Sequence, residues 1–256
     1  MPYFKDVTLL ITHYNRSSSL ERLLKKFKEQ DVTFGDIVVS DDGSQPLQVE
    51  NLRRIQLLHS FTLVTTPKNQ GLGNNINKGQ DAVKTALTLY VQEDFIPKVD
   101  FVSIFSNAIS YLSERKDLDI VRFYSYFKYP FLKPYKDGFS EMKFNASPMF
   151  WGVKKFYAYS DHPHLRRKNF FVKFGRYLEG VKGDITEYRM MMSFLKHKGK
   201  GLFYEDFKGL FDQENSEEEP STMARNKLRN SDNIFITAIR NVYRNVKFNF
   251  DYHFKR

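Results

Sequence analysis

Five short apolar runs, separated by stretches of helical period, constrain this chain more than any other feature. VTLLIT (7–12), DIVVS (36–40), FTLVTT (61–66), LTLYVQ (87–92) and LDIVRFYSYF (118–127) are nearly continuous in β-branched, aliphatic and aromatic residues. Runs of that kind are strands covered on both faces. Between the first two, Leu20, Leu23, Leu24 and Phe27 share one helical face, behind Ser18 and Glu21 at capping-box spacing. Further helices are predicted over about 73–87 and 101–115. Strand and helix in alternation require crossover connections, so the class is α/β, a mostly parallel sheet flanked by helices on both faces.

In such sheets ligands bind beyond the carboxyl ends of the strands. Polar groups stand at three of those ends: Thr12, His13 and Tyr14; Asp41 and Asp42; Glu93 and Asp94. Adjacent carboxylates repel, and the cost persists unless a donor or a cation faces them. The plain alternative for Asp41 and Asp42 is a solvated turn with Gly43 at positive φ.

After residue 127 the pattern breaks. Residues 128–175 are rich in Phe, Tyr, Lys and Pro, and KPYKDG and SDHPHLRRKN read as loops. A helix is predicted near 184–198, ending at Gly199. ENSEEEP (214–220) is an acidic break, and the basic tail beyond it ends in an amphipathic helix within NIFITAIRNVYRNV. The chain has a net charge of +10 and a pI near 9.5, which favours anionic partners. With no cysteine, disulfides and thiolate metal sites are excluded. No run approaches the roughly 18 apolar residues of a membrane span, and MPYFKDVTLL lacks the layout of a signal peptide. The expected location is the cytoplasm, with the inner face of the membrane as a peripheral site.

VTLLITHYNRSSSLERLL, IVVSDDGS, NQGLGNNINKG and YVQEDFIP together resemble glycosyltransferase family 2, closely over about residues 5–100 and loosely over 145–216. The resemblance implies a GT-A fold, an inverting reaction and a nucleotide-diphosphate sugar donor, with UDP the expected nucleotide. It implies a domain over 1–216, with nucleotide-sugar binding in 1–100 and acceptor binding and catalysis in 101–216. Residues 217–256 would form the helical tail.

Residue by residue, the resemblance puts Thr12 and Tyr14 against the nucleobase, with Asn15 and Arg16 following in the same turn. Asp42 would accept a hydrogen bond from the base, with Asp41 beside it; an ionised carboxylate only accepts, which suits a uracil N–H. Lys68, Asn69, Gly71 and Asn77 belong to a loop expected to close over the donor. Its spacing is neither a Rossmann nor a Walker loop, and it follows a later strand. Gln92-Glu93-Asp94 stands where the family carries Asp-x-Asp. Asp94, assisted by Glu93, would then hold Mn²⁺ or Mg²⁺ against the diphosphate, although glutamine replaces the first acid. The general base falls on Asp184 or Glu187 in GDITEYRMMM, with Asp184 favoured; both also suit a capped helix start. Trp151 is a candidate for stacking on an acceptor sugar, and otherwise a core tryptophan. Asp161, His162 and His164 read as an exposed loop, which could line the acceptor groove with Arg166 and Arg167 facing phosphate. FDQENS (211–216) lies where relatives often carry a histidine that completes the metal site as its third ligand, and none is present here.

The expected partners are a nucleotide-sugar donor and a saccharide or lipid-linked acceptor, with peripheral contact to an anionic membrane and no nucleic acid. The rival reading is a non-catalytic basic module that binds nucleic acid or an anionic membrane surface. A nucleotidyltransferase would need a Gly- and Arg-rich triphosphate loop near the N-terminus, and there is none.

Overall fold

The computed structural model describes residues 2–147, 149, 151–215, 219 and 234–255. Its strands are β1 (Tyr3–His13), β2 (Thr33–Asp41), β3 (Thr62–Val64), β4 (Leu87–Gln92), β5 (Phe95–Pro97), β6 (Ile120–Arg122), β7 (Leu132–Pro134), β8 (Phe139–Met142), β9 (His164–Arg167), β10 (Gly201–Tyr204) and β11 (Phe211–Gln213). The helices are α1 (Ser17–Glu29), α2 (Pro46–His59), α3 (Leu72–Asp81), α4 (Phe101–Glu114), α5 (Phe170–Phe174), α6 (Gly183–Lys196) and α7 (Ile234–His253). Nine strands form one sheet in the order β3-β2-β1-β4-β9-β6-β10-β8-β7, while β5 and β11 make a separate ribbon. All but β9 and β8 run in one direction, so the expected mostly parallel sheet with flanking helices is present.

Period-two alternation splits the core between the two faces. Leu9 and Ile11 of β1 pack with Leu20 and Phe27 of α1, Leu52 and Ile55 of α2, and Phe101 and Phe105 of α4. Leu10, between them, packs on the other face with Ile76 of α3 and Met190, Met191 and Phe194 of α6. Each such apolar side chain contributes about 1.5–3 kcal/mol when fully buried. Among the described residues no helix is long and apolar enough to cross a membrane.

Two local expectations are corrected. The capping box at Ser18 and Glu21 is not formed: the N-cap of α1 is Arg16, and Glu21 pairs with Arg54 instead. The open N–H groups of Ser18 and Ser19 bond to the carboxylate of Glu219 at 2.9 and 2.8 Å, and the Ser19 hydroxyl donates to it at 2.6 Å. A negative charge there also suits the positive end of the helix.

The larger correction concerns SDHPHLRRK. It is no exposed loop: His164–Arg167 is β9, inserted antiparallel between β4 and β6. Arg166 is buried and Arg167 half-buried, and the interior supplies acceptors for both. Arg166 donates to Gln80 Oε1 at 2.7 and 3.1 Å and to the Tyr177 hydroxyl at 3.4 Å. Arg167 donates to the carbonyls of Leu112, Arg115 and Leu118. Neither arginine is left to face a phosphate. The segment 216–218 and residues 220–233, which include the expected boundary and the start of the tail, lie outside the described residues. Beyond them α7 packs against α6, where Tyr188 stacks on Phe248 and donates to Asp251 at 2.6 Å.

Candidate active site at the strand ends

The sheet register brings the acidic groups to one rim. Thr12 of β1 pairs with Ser40 of β2 on one side and with Gln92 of β4 on the other. Asp41-Asp42 and Glu93-Asp94 therefore follow neighbouring strand ends, each about 5 Å from β1.

Asp41 and Asp42 are both buried, and they are satisfied by different donors. Asp41 Oδ1 accepts from His13 Nδ1 at 2.8 Å and from the Ser44 hydroxyl at 2.5 Å, and its Oδ2 accepts from Ser44 N at 3.1 Å. His13 Nε2 in turn accepts the Arg16 N–H at 3.1 Å, so its proton sits on Nδ1. Burial pushes Asp41 up, but the bonds from His13 and Ser44 outweigh it and hold its pKa below the ordinary carboxylate value. Asp42 accepts two backbone N–H groups, Gln70 and Gly71, each at 2.9 Å. There burial wins, and its pKa lies above the ordinary value.

Asp42 thus holds the 68–71 loop down. Gly43 makes that possible: at φ 69° it presses against the loop, and a Cβ on it would lie 2.3 Å from the Lys68 carbonyl carbon. Lys68 and Asn69 are exposed on the outside of this loop, Gly71 is half-buried at its inner end, and Asn69 Oδ1 accepts the Gly71 N–H at 3.1 Å. Tyr14 and Asn15 are half-buried in the turn after β1, where Asn15 Oδ1 accepts from Gln45 N at 2.7 Å. The Thr12 hydroxyl lies 3.1 Å from that of Tyr90, below the rim.

Asn77 sits apart from the opening. Its amide oxygen accepts from Tyr177 N at 3.0 Å, and its nitrogen donates to Tyr177 O and Glu179 at 2.9 and 2.7 Å, which ties α3 to the segment before α6. Lys78, unmarked by the sequence reading, is the cation under the acidic pair. Its ammonium donates to Asp41 O at 2.7 Å and to Asn75 Oδ1 at 2.8 Å. Its i, i+3 spacing from Asn75 on a helix was the available signal.

At the end of β4 the acids have looser company. Arg16 Nη1 is 3.6 Å from Glu93 Oε1 and 3.4 Å from Asp94 Oδ2. Its Nη2 donates to Asn215 Oδ1 at 2.6 Å and to Glu219 O at 3.1 Å. Asp94 Oδ2 accepts from Gln213 at 2.9 Å, because the β5–β11 ribbon pairs Gln213 with Phe95. Asp94 Oδ1 is buried and has no hydrogen-bond partner among the described residues. Burial, and then the neighbouring Asp94 charge, push Glu93 up to about 8. Among the described residues no group of three or more His, Asp or Glu side chains is placed to hold a metal ion. What Asp94 presents is one hard, desolvated oxygen with free lone pairs, which fits a divalent cation completed by ligand oxygens.

The second half of the chain adds another acidic pair. Asp161 is 3 % exposed; its backbone N–H donates to Glu187 Oε1 at 3.3 Å, and its carbonyl accepts from Gln92 Nε2 at 3.4 Å. One residue thereby joins the end of β4 to the first turns of α6. Asp161 Oδ1 accepts from Tyr177 OH at 3.0 Å, while Oδ2 is buried without a partner. Burial and the Glu187 charge raise the pKa of Asp161; burial, with Asp184 adding to it, raises that of Glu187. Arg122 lies beneath, bonded to Tyr157 O and Ser160 Oγ at 2.6 Å each, and burial lowers its pKa to about 10. Asp184 is half-buried in the first turn of α6. His162, packed among Phe95, Tyr124 and Tyr126, is pushed down to about 3 by burial and is neutral.

Trp151 is no core tryptophan: it is 66 % exposed, on a turn fastened to α7 by a 2.9 Å bond from Gly152 N to Asn245 Oδ1.

Residues 8–175 match the family model described as Glycosyl transferase family 2. A cholesterol galactosyltransferase of Borreliella burgdorferi is 23% identical over 121 residues, which is 47% of this chain and 33% of that protein. This chain thus matches about a third of that relative's length. Among solved structures, Staphylococcus aureus TarS 1–349 in complex with UDP superposes with a TM-score of 0.59 at 14% identity, covering 83% of this chain and 61% of that one. The mannosyltransferase PcManGT of Pyrobaculum calidifontis, in complex with GDP-Man and Mn²⁺, gives 0.54 at 15% identity, covering 79% and 55%. At such identities the likeness is one of fold.

Proposed function

The chain belongs to glycosyl transferase family 2, and from that premise we propose an inverting GT-A enzyme that moves a sugar from a nucleotide-diphosphate donor, a UDP-sugar, to a hydroxyl of a glycan or lipid-linked saccharide. The observation that carries the reading is the desolvated, unpartnered oxygen of Asp94 on the rim that also holds Asp42 and adjoins Glu187. A buried carboxylate oxygen with no donor is costly in a purely structural role, and the Arg16 guanidinium faces only the other oxygen of Asp94.

In this reading the nucleotide lies over the β1 and β2 ends. Thr12, Tyr14, Asn15 and Arg16 form one wall, and Lys68, Asn69 and Gly71 the other. Asp42 serves the base after exchanging a loop N–H for a ring N–H. Asp41 and Asn77 brace these walls from behind. Asp94, with Glu93 beside it, is the residue to hold Mn²⁺ or Mg²⁺, which when bound would supply positive charge to the departing diphosphate. Arg16 adds a fixed positive charge on the same side.

Glu187 is the better base of the two candidates, because it adjoins the β4 end through Asp161 and burial raises its pKa above the ordinary carboxylate value, which favours proton uptake. It takes the acceptor hydroxyl proton while that oxygen attacks the anomeric carbon. The new carbon–oxygen bond forms opposite the old one, whose electron pair leaves with the nucleotide diphosphate. Asp184 tunes Glu187, and Trp151 is offered to the acceptor. The Borreliella relative is named for a lipid acceptor, cholesterol; a lipid-linked acceptor here would place the work at a membrane surface.

The test is a panel of UDP- and GDP-sugars with Mn²⁺, read by nucleotide release and by thermal protection. Protection and turnover by one UDP-sugar is the expected result. Stabilisation by a generic polyanion with no nucleotide-sugar effect would instead leave a basic binding module.

A further inference from the structure

Helix α7 hides one side and displays another. Phe248 and Asn245 are buried against the domain, with Phe248 on Phe156 and Tyr188. Ile239, Val242, Tyr243, Val246 and Phe250, with Phe254 just past the helix, are 50–75 % exposed. Their spacing places them on one stripe about 22 Å long. An apolar stripe of that length on a water-facing helix marks an interaction surface.

Charge narrows the choice of occupant. Residues 234–255 carry Arg240, Arg244, Lys247 and Lys255 against one acid, Asp251. Asp251 is 6 % exposed, on the inner side, where it takes Tyr188 and Lys247. The rim of the stripe is cationic through Arg240 along one edge and Lys255 at the end, while Lys247 is turned inward to Asp251 and the Tyr188 ring. Two copies packed stripe to stripe would bring like charges together, whereas an anionic lipid surface complements both the stripe and its rim. The turn held against α7 by Gly152 and Asn245 adds Trp151 and Met149, the latter 91 % exposed. An indole at the edge of an apolar face suits the headgroup region of a bilayer.

We infer that α7 lies flat on an anionic lipid bilayer, with its stripe at the headgroup–acyl boundary and Trp151 beside it. The surface stands on its own geometry; only the consequence, that a lipid-linked acceptor is met at the bilayer, rests on the transferase reading.

Trp151 is the sole tryptophan, so the unmodified protein carries its own probe. Vesicles of phosphatidylglycerol and phosphatidylcholine should shift its emission to the blue and sediment the protein, with the effect weakened by salt. Vesicles of phosphatidylcholine alone should do much less. The exposed double variant Val246→Glu/Phe250→Glu should keep the wild-type melting temperature and bind the anionic vesicles at least about tenfold more weakly. Nucleotide-sugar hydrolysis in solution should be unchanged in that variant, so loss of docking and loss of the transferase reading are separable results. Equal binding to neutral vesicles, undiminished binding by the variant, or an unshifted Trp151 emission would each overturn the inference. So would a wild-type dimer that the variant turns into monomers, which would assign the stripe to a second copy of the chain.

Discussion

At the β1–β2 end of the rim every carboxylate oxygen is occupied; at the β4–α6 end two are not. Asp41 and Asp42 accept bonds from His13, Ser44, Gln70 and Gly71. Asp94 and Asp161 each keep a buried oxygen without a partner. Both ends are equally acidic in sequence, so acidity alone does not distinguish a brace from a reactive group. Unmet hydrogen-bonding capacity does, because folding alone gives no reason to desolvate an acceptor and leave it empty.

The sharpest way to break this contrast is at α6. Glu187→Gln should lower the transfer rate by about 10²–10⁴-fold, the usual worth of a general base, and Asp184→Asn by less than about tenfold. With Glu187 held above the ordinary carboxylate value by burial and by Asp184, the wild-type rate should climb with pH as the carboxyl loses its proton. Removing the Asp184 charge should move that limb to lower pH. The reverse ranking of the two variants in a pH–rate series would move the base to Asp184.

Asp94→Asn should cost about 10²-fold in nucleotide release and weaken Mn²⁺ uptake measured by calorimetry with donor present. Retained Mn²⁺ uptake would remove Asp94 from the cation site. On the bracing side the readout is stability. Asp41→Ala strands His13 and Ser44 and should cost about 2–3 kcal/mol in chemical denaturation, against about 1–2 kcal/mol for Asp42→Ala. The sign with pH differs too. Asp41, with its lowered pKa, contributes stability above its unfolded pKa and loses it as pH falls through the folded value; Asp42, raised, does the opposite. The smallest effect belongs to Glu219→Ala, about 1 kcal/mol, as the cap of α1 is lost. An unchanged melting temperature there would mean that solvent replaces the cap.

These contrasts also explain what was legible beforehand. LTLYVQ coincides with β4 because a continuous apolar run has only one way to be buried from both sides. Thr12, Asp42 and Asp94 could be placed on one rim because strand ends in a parallel sheet share a side. β9 was missed because His164, Arg166 and Arg167 look solvent-bound until Gln80, Tyr177 and three backbone carbonyls are brought to them from elsewhere. Asp161 was lost with it, since its neighbours Gln92, Tyr177 and Glu187 are scattered along the chain. The α1 cap was misassigned for the same reason: Glu219 lies about 200 residues away, and no local pattern announces it.

The late arrival of β9 has a consequence for assembly. β4 and β6 never touch as partners; a strand from the second half of the chain must slide between them. Without it β4 and β6 would each present a raw hydrogen-bonding edge of the sort that recruits foreign strands. β9 therefore both seals the sheet and carries Asp161, three residues before its start, to the end of β4.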